Sequence, residues 1–187
     1  MLISHFSNNH AAMRISDLEK RFSTQLPQDY RKFLIKYNGG DTPNTKYKAA
    51  KISFDLRGFF GFGNVRYSFD SLSDLSDWIA QKRFPIACDL FGNYILISLD
   101  NGVISFADHE RGFQESFICD SFTAFVAKCK STLIDKNALR SIEEREADLI
   151  AKGRGHIITD GLRRLWQKEI DKYTGMEQEE VERSAFL

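Results

Sequence analysis

Residues 84–110, FPIACDLFGNYILISLDNGVISFADHE, leave the chain little choice of local structure. FPIACDL and NYILISL are short apolar runs, and the second is apolar enough to be covered on both faces. Asp100-Asn101-Gly102 follows, and an Asn-Gly pair readily takes the positive φ angles of a tight hairpin turn. VISFADHE returns as a further strand, and ESFICD can pair again. Helical periodicity lies before and after these strands rather than between them. That segregation argues against a βαβ fold. It predicts an α+β fold with N-terminal helices packed on a twisted antiparallel sheet and a helical C-terminal extension.

The flanking segments supply the helices. In ISDLEKRFSTQLPQDYRKFLIKYNGG, Ile15, Leu18 and Phe22 recur at helical spacing. Pro27 suits the first turn of a second helix, where a missing N–H costs nothing. Tyr30, Phe33, Leu34 and Tyr37 then form one apolar stripe at i, i+3, i+4 and i+7. Asn38-Gly39-Gly40 stops that helix, because these residues accept left-handed geometry. AAKISFDL alternates as a strand, and RGFFGFGNV reads as a strand end or bulged loop. SLSDLSDWIAQKR is a short helix with Ser71 or Ser73 as its cap. SFTAFVAKCKSTLI is another, with Phe122, Phe125, Val126 and Cys129 inward. Beyond residue 135, Leu139, Ile142, Leu149 and Ile150 stripe one charged helix, and Gly153 and Gly155 break it. Leu162, Leu165, Trp166 and Ile170 stripe a second, and the polar tail GMEQEEVERSAFL reads as loose.

Charge excludes some partners. The 187 residues carry 26 Lys/Arg and 26 Asp/Glu, so the whole molecule has no bias toward nucleic acid or an anionic membrane. Residues 1–57 hold ten basic and five acidic side chains, whereas residues 85–125 hold one basic and six acidic. An acidic face on a neutral protein suits a basic partner, although loops on any small domain produce such a face. Cys88, Cys119 and Cys129 sit singly, which fits reduced thiols better than a disulfide framework or a zinc site. No signal peptide is expected, since MLISHFSNNHAAMR lacks a basic start and a long apolar run, and no segment reaches transmembrane length.

Asp108-His109-Glu110 is the one cluster with the composition of a catalytic site. Consecutive strand residues point to opposite faces, so His109 should not share a face with both neighbours. His5, His10 and His156 have no ligand spacing, and no GxSxG elbow occurs. GFFGFG (58–63) resembles a phosphate loop by letter count only. It lacks a following Lys-Ser/Thr and contains three Phe, so a bulged strand edge with inward aromatics is the plainer reading. One of Phe59, Phe60 and Phe62 is expected at the surface as an interface anchor. A hydrolase would instead need a deep pocket around His109 with a carboxylate in hydrogen-bond reach.

Two segments together resemble a known family. LPQDYRKFLIKYNGG (26–40) is similar to the N-terminal signature of the SUKH superfamily, a Leu-Pro, an aromatic-bearing helix and a terminal Asn-Gly-Gly. Residues 84–110 resemble its second signature. There an apolar-Ala-x-Asp leads to Gly-Asn, an apolar strand, a Gly turn and a strand ending in Asp-His-Glu. The resemblance covers about residues 15–132. It implies a SUKH-like α+β domain over 1–134, with 135–187 as a C-terminal helical extension of the same domain. Bacterial members are mostly immunity proteins that neutralise polymorphic or contact-dependent toxins, often nucleases, while fungal relatives regulate cell-wall synthesis as scaffolds. The expectation is therefore a cytoplasmic, non-catalytic protein that sterically blocks the C-terminal domain of a cognate toxin. The alternative is a regulatory interaction module without a toxin. Phe59, Phe60, Asp89, Asn93, Asp108, His109 and Glu110 would meet the partner. Pro27, Asn38, Gly39, Gly40, Gly92 and Gly102 would carry the structural motifs. No metal, cofactor, nucleic acid or membrane is expected, and the C-terminal helices are the place for a homodimer contact.

Overall fold

A computed structural model describes residues 1–7, 10–49, 52–182 and 186. The chain divides into two compact units, Met1–Thr132 with Gln178–Leu187, and Leu133–Glu177.

The larger unit is α+β. Its helices are α1 (Ala11–Arg21), α2 (Gln28–Tyr37), α3 (Leu75–Ala80) and α4 (Phe122–Lys128). Its main sheet joins β2 (Gly40–Lys48), β3 (Ser53–Phe59), β4 (Arg83–Asp89), β5 (Tyr94–Ser98), β6 (Ile104–Asp108), β7 (Gln114–Cys119) and β8 (Cys129–Ser131). The order is β7-β6-β5-β4-β3-β2-β8, with every neighbouring pair antiparallel. A short separate pairing joins β1 (Leu2–Ile3) to β9 (Glu179–Glu180).

The apolar stripe of α2 explains where the helix lies. Tyr30, Phe33, Leu34 and Tyr37 are all fully buried. Phe33 meets Phe59 at 4.8 Å and Phe122 at 5.0 Å between ring centroids, which joins α2, β3 and α4 in one aromatic core. Asp29 fixes the register between the two helices: its Oδ2 accepts from the Thr123 N–H and hydroxyl at 2.9 and 3.1 Å. Along β5 the side chains alternate between faces. Ile95 and Ile97 join the main core, and Leu96 packs with Trp78 and Ala107 in a smaller cluster flanked by Tyr94 and Phe113.

Several elements differ from the sequence reading. Pro27 sits at the cap position before α2 rather than inside its first turn. The strand β2 went unread because Gly40, Pro43 and Asn44 are turn residues; Gly40 pairs in register with Phe59, and a bulge between Asp41 and Thr45 accommodates the other two. Helix α4 stops at Lys128, and Cys129–Ser131 pair with β2 instead. Helix α3 is shorter than expected, and neither Ser71 nor Ser73 caps it. Ser68 caps a preceding 3-10 turn, and Asp74 accepts from the Trp78 indole at 2.8 Å. The tail is not loose where it is described: β9 pairs with β1, and Val181 and Phe186 are buried. Residues 50 and 51 of the expected 49–56 strand, and 183–185 and 187 of the tail, lie outside the described residues.

Two consequences of this core are measurable. The Tyr30 hydroxyl is buried without a hydrogen-bond partner among the described residues, so Tyr30→Phe removes an unsatisfied polar group. Chemical denaturation should find that variant unchanged or more stable by up to about 1 kcal/mol. Burial also pushes the three thiols up from 9.0, to about 11 for Cys88 and Cys119 and about 12 for Cys129. Less thiolate means slower attack on disulfide reagents. At pH 8 a thiol reagent should label all three only after denaturant is added. The same shifts withdraw stability as pH rises past 9, because the unfolded thiols ionise first.

Candidate functional site

The ends of β4, β5 and β6 meet at one edge of the sheet, and a hydrogen-bond relay ties them together. Asp89 ends β4. Its Oδ1 accepts from the Phe91 and Asn93 backbone N–H groups at 2.8 and 2.9 Å, and its Oδ2 accepts from Asn93 Nδ2 at 2.7 Å. Asn93 Oδ1 in turn accepts from the His109 backbone N–H at 3.0 Å and lies 2.8 Å from His109 Nδ1. A carboxylate that accepts three N–H groups fixes a turn firmly, because charge-assisted hydrogen bonds are the stronger kind. Gly92 provides the positive φ of +92° that closes the turn, and space around it is open.

The second turn is built locally. Asp108 ends β6, and its Oδ1 accepts from the Glu110 N–H at 3.0 Å, capping a 3-10 turn over His109–Arg111. Its carbonyl accepts from the Phe113 N–H at 2.7 Å. Phe113 then stacks on Tyr94 with centroids 5.2 Å apart, so this turn is also pinned to the outer face of the sheet.

The structure thus brings Asp89, Asn93, Asp108, His109 and Glu110 together, in two layers. Asp89 and Asn93 are buried and hold the turns. Asp108 is partly buried, and His109 and Glu110 are exposed. The His109 ring meets an amide oxygen and solvent, not the carboxylate in an enclosed pocket that a hydrolase would need. Among the described residues no group of three or more His, Cys, Asp or Glu side chains is placed to hold a metal ion.

Phe59 and Phe60 are elsewhere. They are 0% and 4% exposed, and Phe62 is 8% exposed, so the expectation of a surface aromatic in GFFGFG is overturned. The reason is the clamp made by Asn38-Gly39-Gly40. Asn38, at φ 49°, ends α2 in left-handed geometry. Its side chain pairs with the Phe62 backbone twice, accepting from the N–H at 2.8 Å and donating to the carbonyl at 3.0 Å. A Cβ on Gly61 would lie 2.0 Å from the Asn38 carbonyl oxygen, and one on Gly39 would lie 2.9 Å from Gly61 N. The glycines let two backbones touch, and that contact draws the aromatics inward.

Beside the two turns, Leu90 and Phe91 are large apolar residues that stand exposed, at 56% and 73%. They form the tip of the turn that Asp89 and Asn93 hold, beside the Asp108–Glu110 turn. Sequence reasoning passed over them. The available signal was two large apolar residues among the three that separate Asp89 from Asn93, too short a span to bury both.

Among the described residues no helix is long and apolar enough to cross a membrane. Over 137 residues the chain is 32% identical to the SPbeta prophage-derived uncharacterized protein YokK of Bacillus subtilis (strain 168), covering 60% of this chain and 71% of that protein. The sequence profile of the SMI1 / KNR4 family (SUKH-1) matches residues 12–128, from α1 through α4. The match takes in the Asn38 clamp and both buttressed turns, and the chain belongs to the SMI1 / KNR4 family (SUKH-1).

Proposed function

We propose that this protein is a non-catalytic, cytoplasmic immunity protein that binds the C-terminal domain of a cognate bacterial toxin and blocks it sterically. Family membership and a prophage-derived relative support an interaction role. The observation that carries the reading is the prebuilt tip: Leu90 and Phe91 stand in solvent on a turn that a buried carboxylate and amide hold in place. A backbone already held in place loses less entropy on docking than a mobile loop, and that ordering is a cost a binding surface must offset. Exposed His109 and Glu110 form a polar rim beside it, the usual anatomy of a specific interface. The acidic character of residues 85–125 favours a basic toxin such as a nuclease. Tight binding would bury on the order of 1,600 Å² in total.

The test is growth. The toxin domain encoded beside the gene is expressed alone and together with this protein. Restored growth on co-expression is expected, along with a complex that survives gel filtration. Unchanged toxicity and no complex would sink the proposal and leave a regulatory interaction module as the remaining role.

A further inference from the structure

The smaller unit, residues 133–177, contains α5 (Ile142–Ala151) and α6 (Asp160–Thr174). Each helix is well specified. Ser141 and Glu144 form a reciprocal capping box at the start of α5, and the Thr159 hydroxyl caps α6. Yet neither helix has a single buried residue, and within the unit only Met176, beyond the end of α6, is buried. Polar contacts join the two helices: Arg145 pairs with Glu169 at 2.9 Å, and Arg163 pairs with Glu146. Leu133, Ile150 and Leu165 remain 66%, 63% and 62% exposed. A two-helix unit of 45 residues cannot bury a core of its own, and apolar faces of this kind are normally covered.

We propose that a second copy of the chain covers it, α5–α6 packing on α5–α6 in a symmetric dimer. Charge complementarity selects this occupant. After the pairings within the unit, Glu143 and Glu144 on α5 carry no ion pair, nor do Arg164, Lys168, Asp171 and Lys172 on α6, among the described residues. The charge outside these ion pairs is therefore acidic on α5 and net basic on α6. A two-fold axis that sets α5 of one copy against α6 of the other matches these signs twice, once on each side. The same packing brings the apolar residues of four helices together, the arrangement of a helix bundle.

The experiment is sedimentation equilibrium of the purified full chain without toxin, from about 1 to 100 μM, the range of a moderate dimer. A mass twice the 21.5 kDa of the chain is expected at the upper end. Leu165→Glu should weaken association at least tenfold. Lys168→Glu with Lys172→Glu should do the same, and adding Glu143→Lys to that pair should recover part of the loss while the helical circular dichroism stays constant. A monomer throughout the range overturns the proposal. So does a dimer indifferent to all of these changes, which would place the contact elsewhere.

Discussion

Gly61→Ala is expected to cost the larger unit about 3 kcal/mol or more of unfolding free energy. The added methyl would stand 2.0 Å from the Asn38 carbonyl oxygen and 2.6 Å from its carbon. Both obstacles are backbone, so no side-chain rotation relieves them, and the α2 end must move away from residues 59–62. That movement also breaks the two hydrogen bonds between Asn38 and Phe62 and loosens Phe59 against Phe33 and Phe122. Gly92→Ala is the control. Gly92 has a positive φ but open surroundings, so the change carries only the left-handed penalty of about 1–2 kcal/mol. Urea denaturation of the two variants measures the difference. Equal costs would mean that the close approach at Gly61 does not hold the fold as described.

Phe91→Ala is expected to weaken toxin binding by at least about 30-fold, with no change in stability, because a central aromatic anchor is worth about 2 kcal/mol or more. Leu90→Ala should act in the same direction. Phe59→Ala provides the contrast. Phe59 is fully buried, so its truncation lowers stability by roughly 3–5 kcal/mol and affects binding only through folding. Glu110→Ala, at the exposed rim, should chiefly slow association and flatten its salt dependence. Calorimetric titration and stopped-flow association separate these outcomes. If Phe91→Ala binds as tightly as the parent, the turn between β4 and β5 is not the anchor.

Much of this fold could be read because its elements obey single, strong rules. The stripe of Tyr30, Phe33, Leu34 and Tyr37 specified α2, and Asn101-Gly102 marked the turn between β5 and β6, although only Gly102 takes a positive φ there. The elements that went unread depend on partners distant in sequence. The strand β2 contains Gly40, Pro43 and Asn44, and it is a strand because β3 and β8 pair with it. Residues 129–131 leave helical geometry because β2 offers an open edge. The candidate site divides in the same way. Asp89, Asn93, Asp108, His109 and Glu110 were legible as one group, but not the division of labour among them. Whether a polar residue is buried under a turn or faces solvent beside it depends on where three strands end. Phe59 and Phe60 were misplaced because nothing in GFFGFG reveals that Asn38, more than twenty residues earlier, pairs with its backbone.

The pairing of β1 with β9 bears on how the chain comes off the ribosome. Leu2–Ile3 wait for Glu179–Glu180, and Phe33 and Phe122 wait for Phe186, whose ring lies 5.9 Å from each. The aromatic core of the larger unit is complete only after Phe186 has been made. Until then its surface is sticky, so a chain stalled or clipped ahead of residue 178 would be a substrate for chaperones and proteases rather than a shorter working protein.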